Sequence, residues 1–243
     1  WFGRVLSDSQ FLEYLNDQQK PRKIQHALTQ IGEGIQRKDP GVQQWYSTVL
    51  ELAKHPLSEI RISVAWVMGQ DHKSDLFQKN LQTMLSDPHL LVRRNAALSL
   101  VRFGSNEGLF ELRSMLQPYV IKAPVTATTF YLLSQKDWIE QGEVVAVLHD
   151  ANGSIEVDAP FSGWVNFRLP PEISRIEKDQ KILTISPNPD HVWESLRALY
   201  LIGREQELNL IRSILEDSRF ERRVHQQAHI TTQAIQSRLS VEK

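Results

Sequence analysis

The chain changes its hydrophobic period twice. Up to residue 118, apolar residues recur at intervals of three and four, the spacing that places them on one face of an α-helix. Residues 119–187 instead contain short runs rich in β-branched and aromatic residues, separated by Gly, Pro, Asn and Asp, which is typical of strands and turns. The helical spacing returns in residues 188–243. The pattern therefore predicts helices, then strands, then helices.

Two helix pairs repeat within the first region. His55-Pro56 opens the first pair and Asp87-Pro88 opens the second, and the following residues match at an offset of 32 in the first helix and 31 in the second. The matching positions are Ile60, Arg61, Ala65, Leu81, Met84 and Leu85 in one pair, and Val92, Arg93, Ala97, Leu112, Met115 and Leu116 in the other. Each Pro stands where a helix is expected to begin, because its missing N–H costs nothing there.

A third copy of this pattern follows the strand-like region. Leu196 and Gly203 come 99 residues after Ala97 and Gly104, and the match continues through residues 208–215 without a slip. Residues 220–235 repeat the first helix once more. We therefore predict one array of helices that residues 119–187 interrupt.

These repeats resemble the HEAT-repeat family. The resemblance rests on the Pro-x-x-x-Val/Ile-Arg starts at Pro56 and Pro88, on the small residues Ala65 and Ala97, and on the closing Leu-x-x-Met-Leu, and it covers residues 39–118 and 190–239. It implies an α-solenoid, in which each helix pair buries its apolar stripe against the next pair. It also implies a scaffold that carries protein partners.

Residues 119–187 consist of two half-repeats. Ala123-Pro124 matches Ala159-Pro160 at an offset of 36, and Gly142 matches Asp179 at an offset of 37. The pattern Ala-Pro-x-x-Gly-x-Val at residues 159–165 resembles the biotinyl/lipoyl domains, whose fold is a barrel-sandwich hybrid. The resemblance implies a small barrel made of two quasi-symmetric halves, which leaves few exposed strand edges.

The predicted fold class is therefore α+β, with a HEAT-like solenoid interrupted by a small all-β barrel-sandwich hybrid. We expect three domains. Residues 1–118 form HEAT-like repeats, residues 119–187 form the biotinyl/lipoyl-like domain, and residues 188–243 form C-terminal helices that continue the array.

The resemblance also implies where a cofactor would be attached. In biotinyl and lipoyl domains a Lys on the hairpin between the two halves carries the cofactor. Asn152 occupies that position here, in a hairpin whose Asn-Gly sequence favours a type I′ turn. Because an amide cannot be acylated in place of a Lys amine, we expect an unmodified domain without a cofactor.

Composition and charge exclude several classes of function. The chain has no Cys, which excludes thiolate metal sites and thiol nucleophiles. Residues 1–118, 119–187 and 188–243 carry net charges of +2, −3 and 0, so no region has the basic surface that nucleic-acid binding requires. His225 and His229 stand four residues apart but lack the Glu of a zinc-protease helix. We expect no enzyme activity, no metal site and no small-molecule substrate.

Three functions stay open. The first, which the sequence favours, is a non-enzymatic scaffold or adaptor that binds other proteins. The second is an adaptor or regulatory subunit of a membrane transport complex, because adaptors of the membrane-fusion type use the same hybrid barrel. The third is a cofactor-carrier component of an enzyme complex. A cytoplasmic location is slightly preferred, and an anchor upstream of Trp1 would favour a periplasmic or membrane-associated complex.

Alternation along the strands predicts a candidate interaction face. In the second half-repeat we expect three residues to face the core, Val165, Phe167 and Leu169, and three to face outward, Trp164, Asn166 and Arg168. The same alternation, transferred to the first half, places three residues inside: Thr129, Tyr131 and Leu133. It leaves three large apolar side chains outside: Phe130, Leu132 and Trp164. Such a group suggests contact with the protein's own helices or with a partner.

Overall fold

The chain folds into helices and two small antiparallel sheets, so it belongs to the α+β class as predicted. The computed structural model describes residues 5–132, 136–150, 153–170, 173 and 175–241. It forms two compact units, Trp1–Leu112 and Arg113–Lys243. The domain boundaries expected at residues 118 and 187 stay a prediction.

The first unit is helical. Its helices are α1 (Asp8–Leu15), α2 (Pro21–Gln36), a 3₁₀-helix (Pro40–Trp45), α3 (Tyr46–Leu52), α4 (Ser58–Met68), α5 (Asp75–Met84), α6 (Leu90–Val101) and α7 (Leu109–Ser114), whose last two residues belong to the second unit. Ser7 and Ser74 precede α1 and α5, and each side chain accepts a hydrogen bond from a first-turn N–H. These caps satisfy donors that have no partner inside the helix.

Small residues allow α2, α4 and α6 to pack side by side. Gly32 of α2 lies against Trp66 of α4, and a Cβ on Gly32 would overlap the indole ring. Ser99 of α6 donates from its buried hydroxyl to the carbonyl oxygen of Ala65 at 2.8 Å. A larger side chain at either crossing would therefore push the helices apart.

The two helix pairs repeat in their contacts as well as in their sequence. Arg61 donates from Nη1 to the carbonyl oxygens of the residues six and five positions earlier, at 2.8 and 3.0 Å. Arg93 makes the same two hydrogen bonds, at 2.8 and 3.2 Å. Each Arg ties the start of its helix to the preceding turn, and the contacts recur at the predicted offset of 32.

Arg61 also joins one pair to the next. Its Nε and Nη2 donate to the two carboxylate oxygens of Asp87 at 2.7 and 2.9 Å, and the two side chains are only 11% and 9% exposed. Burial by itself raises the pKa of Asp87, but hydrogen bonds from Arg61 and from the N–H of His89 outweigh burial and hold the pKa below its ordinary value. The contact is therefore an ionised, two-point hydrogen-bonded pair.

The second unit begins with strands and ends with helices. In order, it contains β1 (Tyr119–Lys122), β2 (Thr129–Leu132), β3 (Trp138–Ile139), β4 (Val144–Asp150), β5 (Gly153–Asp158), β6 (Gly163–Arg168), β7 (Lys181–Ile185), α8 (Pro189–Ile202), a 3₁₀-helix (Glu205–Glu207), α9 (Leu208–Glu216) and α10 (Arg222–Val241). The strands lie within residues 119–187, the region for which the sequence predicted them. One sheet has the order β1-β7-β6-β3 and the other has the order β2-β4-β5. Within the described residues the two sheets do not close into a barrel.

Backbone hydrogen bonds relate the two halves of the β region. The carbonyl oxygen of Ala123 accepts from the N–H of Asp179 at 2.8 Å, and that of Ala159 accepts from the N–H of Gly142 at 2.8 Å. Both donors have positive φ, 66° at Asp179 and 76° at Gly142. The matched positions of the sequence, at offsets of 36 and 37, thus occupy matched places in the fold.

The strand pairing follows the same relation. The order β2-β4-β5 corresponds to β6-β7-β1 in the other sheet. The isolated bridge between Ala127 and Ile176 corresponds to the pairing of Gly163 with Ile139. The β region is therefore quasi-twofold, with each half supplying strands to both sheets.

The helices of the second unit repeat a contact found in the first. Thr231 of α10 donates from its buried hydroxyl to the carbonyl oxygen of Leu196 in α8, at 2.9 Å. Ser99 and Ala65 make the equivalent contact between α6 and α4. The sequence likeness of residues 190–239 to the earlier helices therefore extends to their packing.

An ion pair joins the chain before the strands to the chain after them. Glu207 is fully buried and its carboxylate accepts from Arg113 Nε at 2.5 Å and from the N–H of Arg204 at 2.6 Å. Arg113 precedes every described strand and Glu207 follows them all. The chain segments that precede and follow the β region are therefore in direct contact.

We expect Asp87→Asn to lower the free energy of unfolding by about 2–4 kcal/mol, because the guanidinium of Arg61 would stay buried without its counterion. Glu33→Gln is the matched control, since the pair of Glu33 with Arg37 is exposed, and it should cost less than about 0.5 kcal/mol.

The difference between the variants should depend on pH. Folding lowers the pKa of Asp87. Its contribution to the free energy of unfolding is therefore complete above the unfolded pKa of about 4 and is lost as the pH falls through the folded pKa. Urea unfolding followed by circular dichroism, near neutral pH and in acid, measures this difference. Equal losses in the two variants would contradict the prediction.

A second prediction concerns the positive φ of Gly142. A Cβ at Gly142 would meet nothing within 4 Å, so a substitution there changes backbone strain alone. Gly142→Val should lower the free energy of unfolding by about 1–2 kcal/mol, because β-branched residues disfavour this conformation. Gly142→Asp copies the residue found at Asp179 and should cost less than Val. Urea unfolding followed by tryptophan fluorescence tests the order, and a larger loss for Asp than for Val would overturn it.

Candidate interaction site

The side chains of β2 face opposite to the prediction. Phe130 pairs with Leu148 and Leu132 pairs with Ala146, and both partners are fully buried. Because paired residues share a face of the sheet, Phe130 and Leu132 belong to the buried side, where they are half-buried. The expectation that Thr129 and Tyr131 point inward is wrong, because both are exposed, Tyr131 by 57%. Leu133 lies outside the described residues.

A β-bulge in β6 is the physical reason. Val165 pairs with Ile185 and Phe167 pairs with Thr184, so Asn166 is left between two successive pairs. The extra residue reverses the alternation. Phe167 and Val165 therefore lie on opposite faces of the sheet, although the sequence predicts that they share one. For this reason the facing predicted for β6 does not apply to β2. The side chain of Asn166 instead accepts a hydrogen bond from Arg219 Nη1, in the turn after α9, at 2.8 Å.

Trp164 is exposed, as predicted, and a second tryptophan lies against it. Trp164 pairs with Trp138 of β3, and the two rings meet edge to face with centroids 5.2 Å apart. Trp164 is 42% exposed and Trp138 is half-buried. Phe130 and Leu132 lie in the other sheet, so the structure does not place the three predicted residues in one group. Whether each of them contacts a partner stays a prediction.

Glu140 holds the tryptophan pair in place. Trp138 donates from Nε1 to Glu140 Oε1 at 2.8 Å. The hydroxyl of Ser162 donates to Glu140 Oε2 at 2.9 Å and accepts from the N–H of Gln141 at 2.9 Å. These bonds fix the indole of Trp138 and the carboxylate beside it.

The same network recurs in the other half of the β region. Thr126 corresponds to Ser162 and Glu177 corresponds to Glu140, at the offsets of 36 and 37. The hydroxyl of Thr126 donates to Glu177 Oε2 at 3.0 Å and accepts from the N–H of Lys178 at 3.0 Å. Hydrogen bonds from Thr126 and then from Arg175 hold the pKa of Glu177 below its ordinary value.

The two tryptophans have no counterpart in the matched half. The offsets match Trp164 to Thr128 and Trp138 to Arg175. Because one half makes the network with Thr and Arg at these places, the fold does not require two indoles. Trp138 and Glu140 were not singled out from the sequence, although the mismatch between the half-repeats is a signal that could have found them.

The surroundings of the pair are acidic. Asp137 and Glu140 are both exposed. The basic residue next to them, Lys136, lies 3.4 Å from Glu143, and Arg168 donates from Nη2 to the carbonyl oxygen of Lys136 at 2.7 Å. Glu140 thus places one exposed carboxylate beside the ring of Trp138.

Two other candidates from the sequence can now be located. His225 shares a hydrogen bond through Nε2 with the carbonyl oxygen of Asp217, at 3.1 Å, and His229 is exposed. Within the part of the chain that the structure describes, no three or more His, Asp or Glu residues form a group that could hold a metal ion. Asn152 lies outside the described residues.

Comparison with known proteins gives no family for this chain. No protein-family model matches it, and no curated protein matches it either. Among the described helices, none is long and apolar enough to cross a membrane.

The corrected facing of β2 leads to a prediction. Phe130→Ser should lower the free energy of unfolding by about 1–2 kcal/mol, because it removes a half-buried ring from the face that carries Leu148. Tyr131→Ser, at the neighbouring exposed position, should cost less. Thermal unfolding of the two variants measures the difference. A greater loss for Tyr131→Ser would restore the original assignment of the faces.

Proposed function

We propose that this protein is a non-enzymatic scaffold or adaptor that binds other proteins, built from HEAT-like helical repeats and an unmodified lipoyl-like β region. The recurring contacts of Arg61 and Arg93 support the helical-repeat part. The reciprocal hydrogen bonds of Ala123 and Ala159 support the two-half β region. Helical repeats stack into extended surfaces that suit protein partners.

The tryptophan pair is the observation that carries the proposal. Trp164 keeps 42% of its surface exposed, although burial of an indole is strongly favourable. The matched half of the β region uses Thr128 and Arg175 instead, so folding does not explain the two rings. Tryptophan is enriched among the residues that contribute most to protein–protein binding. A surface that serves a partner explains the pair.

The alternative is an adaptor or regulatory subunit of a membrane transport complex. The quasi-twofold halves of the β region favour it, because the resemblance to hybrid-barrel domains extends to adaptors of the membrane-fusion type. Fractionation of native cells separates the two proposals. Recovery of the chain with membranes, together with transporter subunits, would favour the alternative.

The scaffold proposal predicts a partner that depends on Trp164. The tagged chain, isolated from its native cells and analysed by quantitative mass spectrometry, should carry at least one protein in near-stoichiometric amount. Trp164→Ser should reduce that protein at least about tenfold, as expected for loss of a central interface tryptophan. Tyr200→Ser is the control, because Tyr200 is also 42% exposed but lies on α8. Isolation of the chain alone, or equal losses in both variants, would contradict the proposal.

A further inference from the structure

We propose that the Trp138–Trp164 pair binds a basic side chain, arginine or lysine, of a partner protein. The inference rests on the proposed function, because it names the chemistry of the partner at the same site. Four features of the described residues carry it: the treatment of other aromatic rings in this chain, the carboxylates beside the pair, the contrast with the matched half and the exclusion of anions.

Elsewhere in the chain, cations lie over aromatic rings such as those of Phe167 and Trp193. Lys181 Nζ lies 3.8 Å from the ring centroid of Phe167. Trp193 has two guanidinium groups over its ring, those of Arg197 at 4.6 Å and Arg223 at 5.8 Å. Cations are attracted to the negative face of an aromatic ring, most strongly to that of tryptophan. Within the described residues, the tryptophan pair at β3 and β6 has no such cation.

Negative charge lies next to the tryptophan pair. Glu140 is hydrogen-bonded to the indole of Trp138, and Asp137 precedes Trp138 in the chain and is exposed. A cation that reached the rings would therefore meet both the ring quadrupole and negative charge. Lys136 pairs with Glu143, and the charge of Glu140 beside the indole is complementary to a cation from a partner.

The matched half shows what the carboxylate of this network binds when tryptophan is absent. Glu177, which corresponds to Glu140, accepts a hydrogen bond from Arg175 Nε at 2.8 Å. Trp138 stands at the position that corresponds to Arg175. The half with the tryptophans thus keeps the carboxylate, as Glu140, but has no arginine at the position of Arg175. An arginine or lysine of the partner would supply the missing cation.

The same charges disfavour anionic partners. Nucleic acids and acidic lipid surfaces bind proteins through phosphate groups that require cations in return. The Glu140 carboxylate, hydrogen-bonded to the indole of Trp138, would repel such groups at the rings. A basic protein segment is the occupant that fits both the charge and the aromatic surface.

Nuclear magnetic resonance of the full chain tests the site directly. The probes are two acetylated and amidated pentapeptides, Gly-Ser-Arg-Ser-Gly and its counterpart with Gln in place of Arg. With ¹⁵N-labelled protein, the Arg peptide should shift the indole N–H signals of Trp138 and Trp164 saturably, with a Kd on the order of millimolar for one exposed side chain. The signal of Trp193 serves as an internal reference, because its ring already carries two arginines. The Gln peptide should leave all three signals unchanged.

Two isosteric variants isolate the charge. In Glu140→Gln the amide oxygen can still accept from Trp138 and the amide N–H can donate to the Ser162 hydroxyl, while the negative charge is lost. This change should raise the Kd of the Arg peptide about threefold to tenfold. Glu177→Gln makes the same change in the half without tryptophans and should leave the Kd unchanged. Added salt should weaken binding to the wild-type chain, because the carboxylates are exposed.

The outcomes are distinct. Equal shifts with the Arg and Gln peptides, no saturable shift, or equal effects of Glu140→Gln and Glu177→Gln would overturn the basic-side-chain inference. If Trp164→Ser still abolished capture of a native partner, the scaffold proposal would stand with a different occupant at the pair. Specific binding of the Arg peptide supports the cation site, and failure to capture any partner would then count against the scaffold proposal alone.

Discussion

The second unit depends on the neutralisation of one buried carboxylate. Glu207 has no exposure to solvent, and a buried charge is tolerated only when it is paired and hydrogen-bonded. Arg113 and the backbone of Arg204 supply those bonds. Because Arg113 comes before the strands and Glu207 after them, satisfying this one charge brings together the two ends of the β region.

The β region is quasi-twofold, so each position in one half has an equivalent in the other. A symmetric pair of halves provides an internal comparison, because equivalent positions face equivalent structural demands. The hydroxyl and carboxylate of Ser162 and Glu140 recur as Thr126 and Glu177, and so belong to the fold. The tryptophans have no counterpart in the other half, where Thr128 and Arg175 stand at the matched positions. A feature that one half lacks, while making the same hydrogen bonds, is better explained by binding than by stability.

The bulge in β6 connects the β region to the C-terminal helices. It frees Asn166 from the strand pairing and turns its amide oxygen to Arg219, which also pairs with Asp217. Hydrogen bonds from Arg219 hold the pKa of Asp217 below its ordinary value against the opposing effect of burial. In the unbulged strand β2, Tyr131 is exposed. One inserted residue therefore gives the two similar sheets different outer faces.

The sequence by itself determined the order of the elements, the helical offset of 32 and the β-region offsets of 36 and 37, because these follow from local periodicity and turn residues. It predicted that Trp164 is exposed and that Gly142 and Asp179 are equivalent, and in the structure both of these residues have a positive φ. The facing of β2, the pairing of Trp138 with Trp164 and the meeting of Arg113 with Glu207 were decided only by the tertiary structure. A period-two pattern does not reveal where one extra residue reverses its phase. Contacts between distant residues, in turn, depend on how the whole chain closes rather than on any local signal.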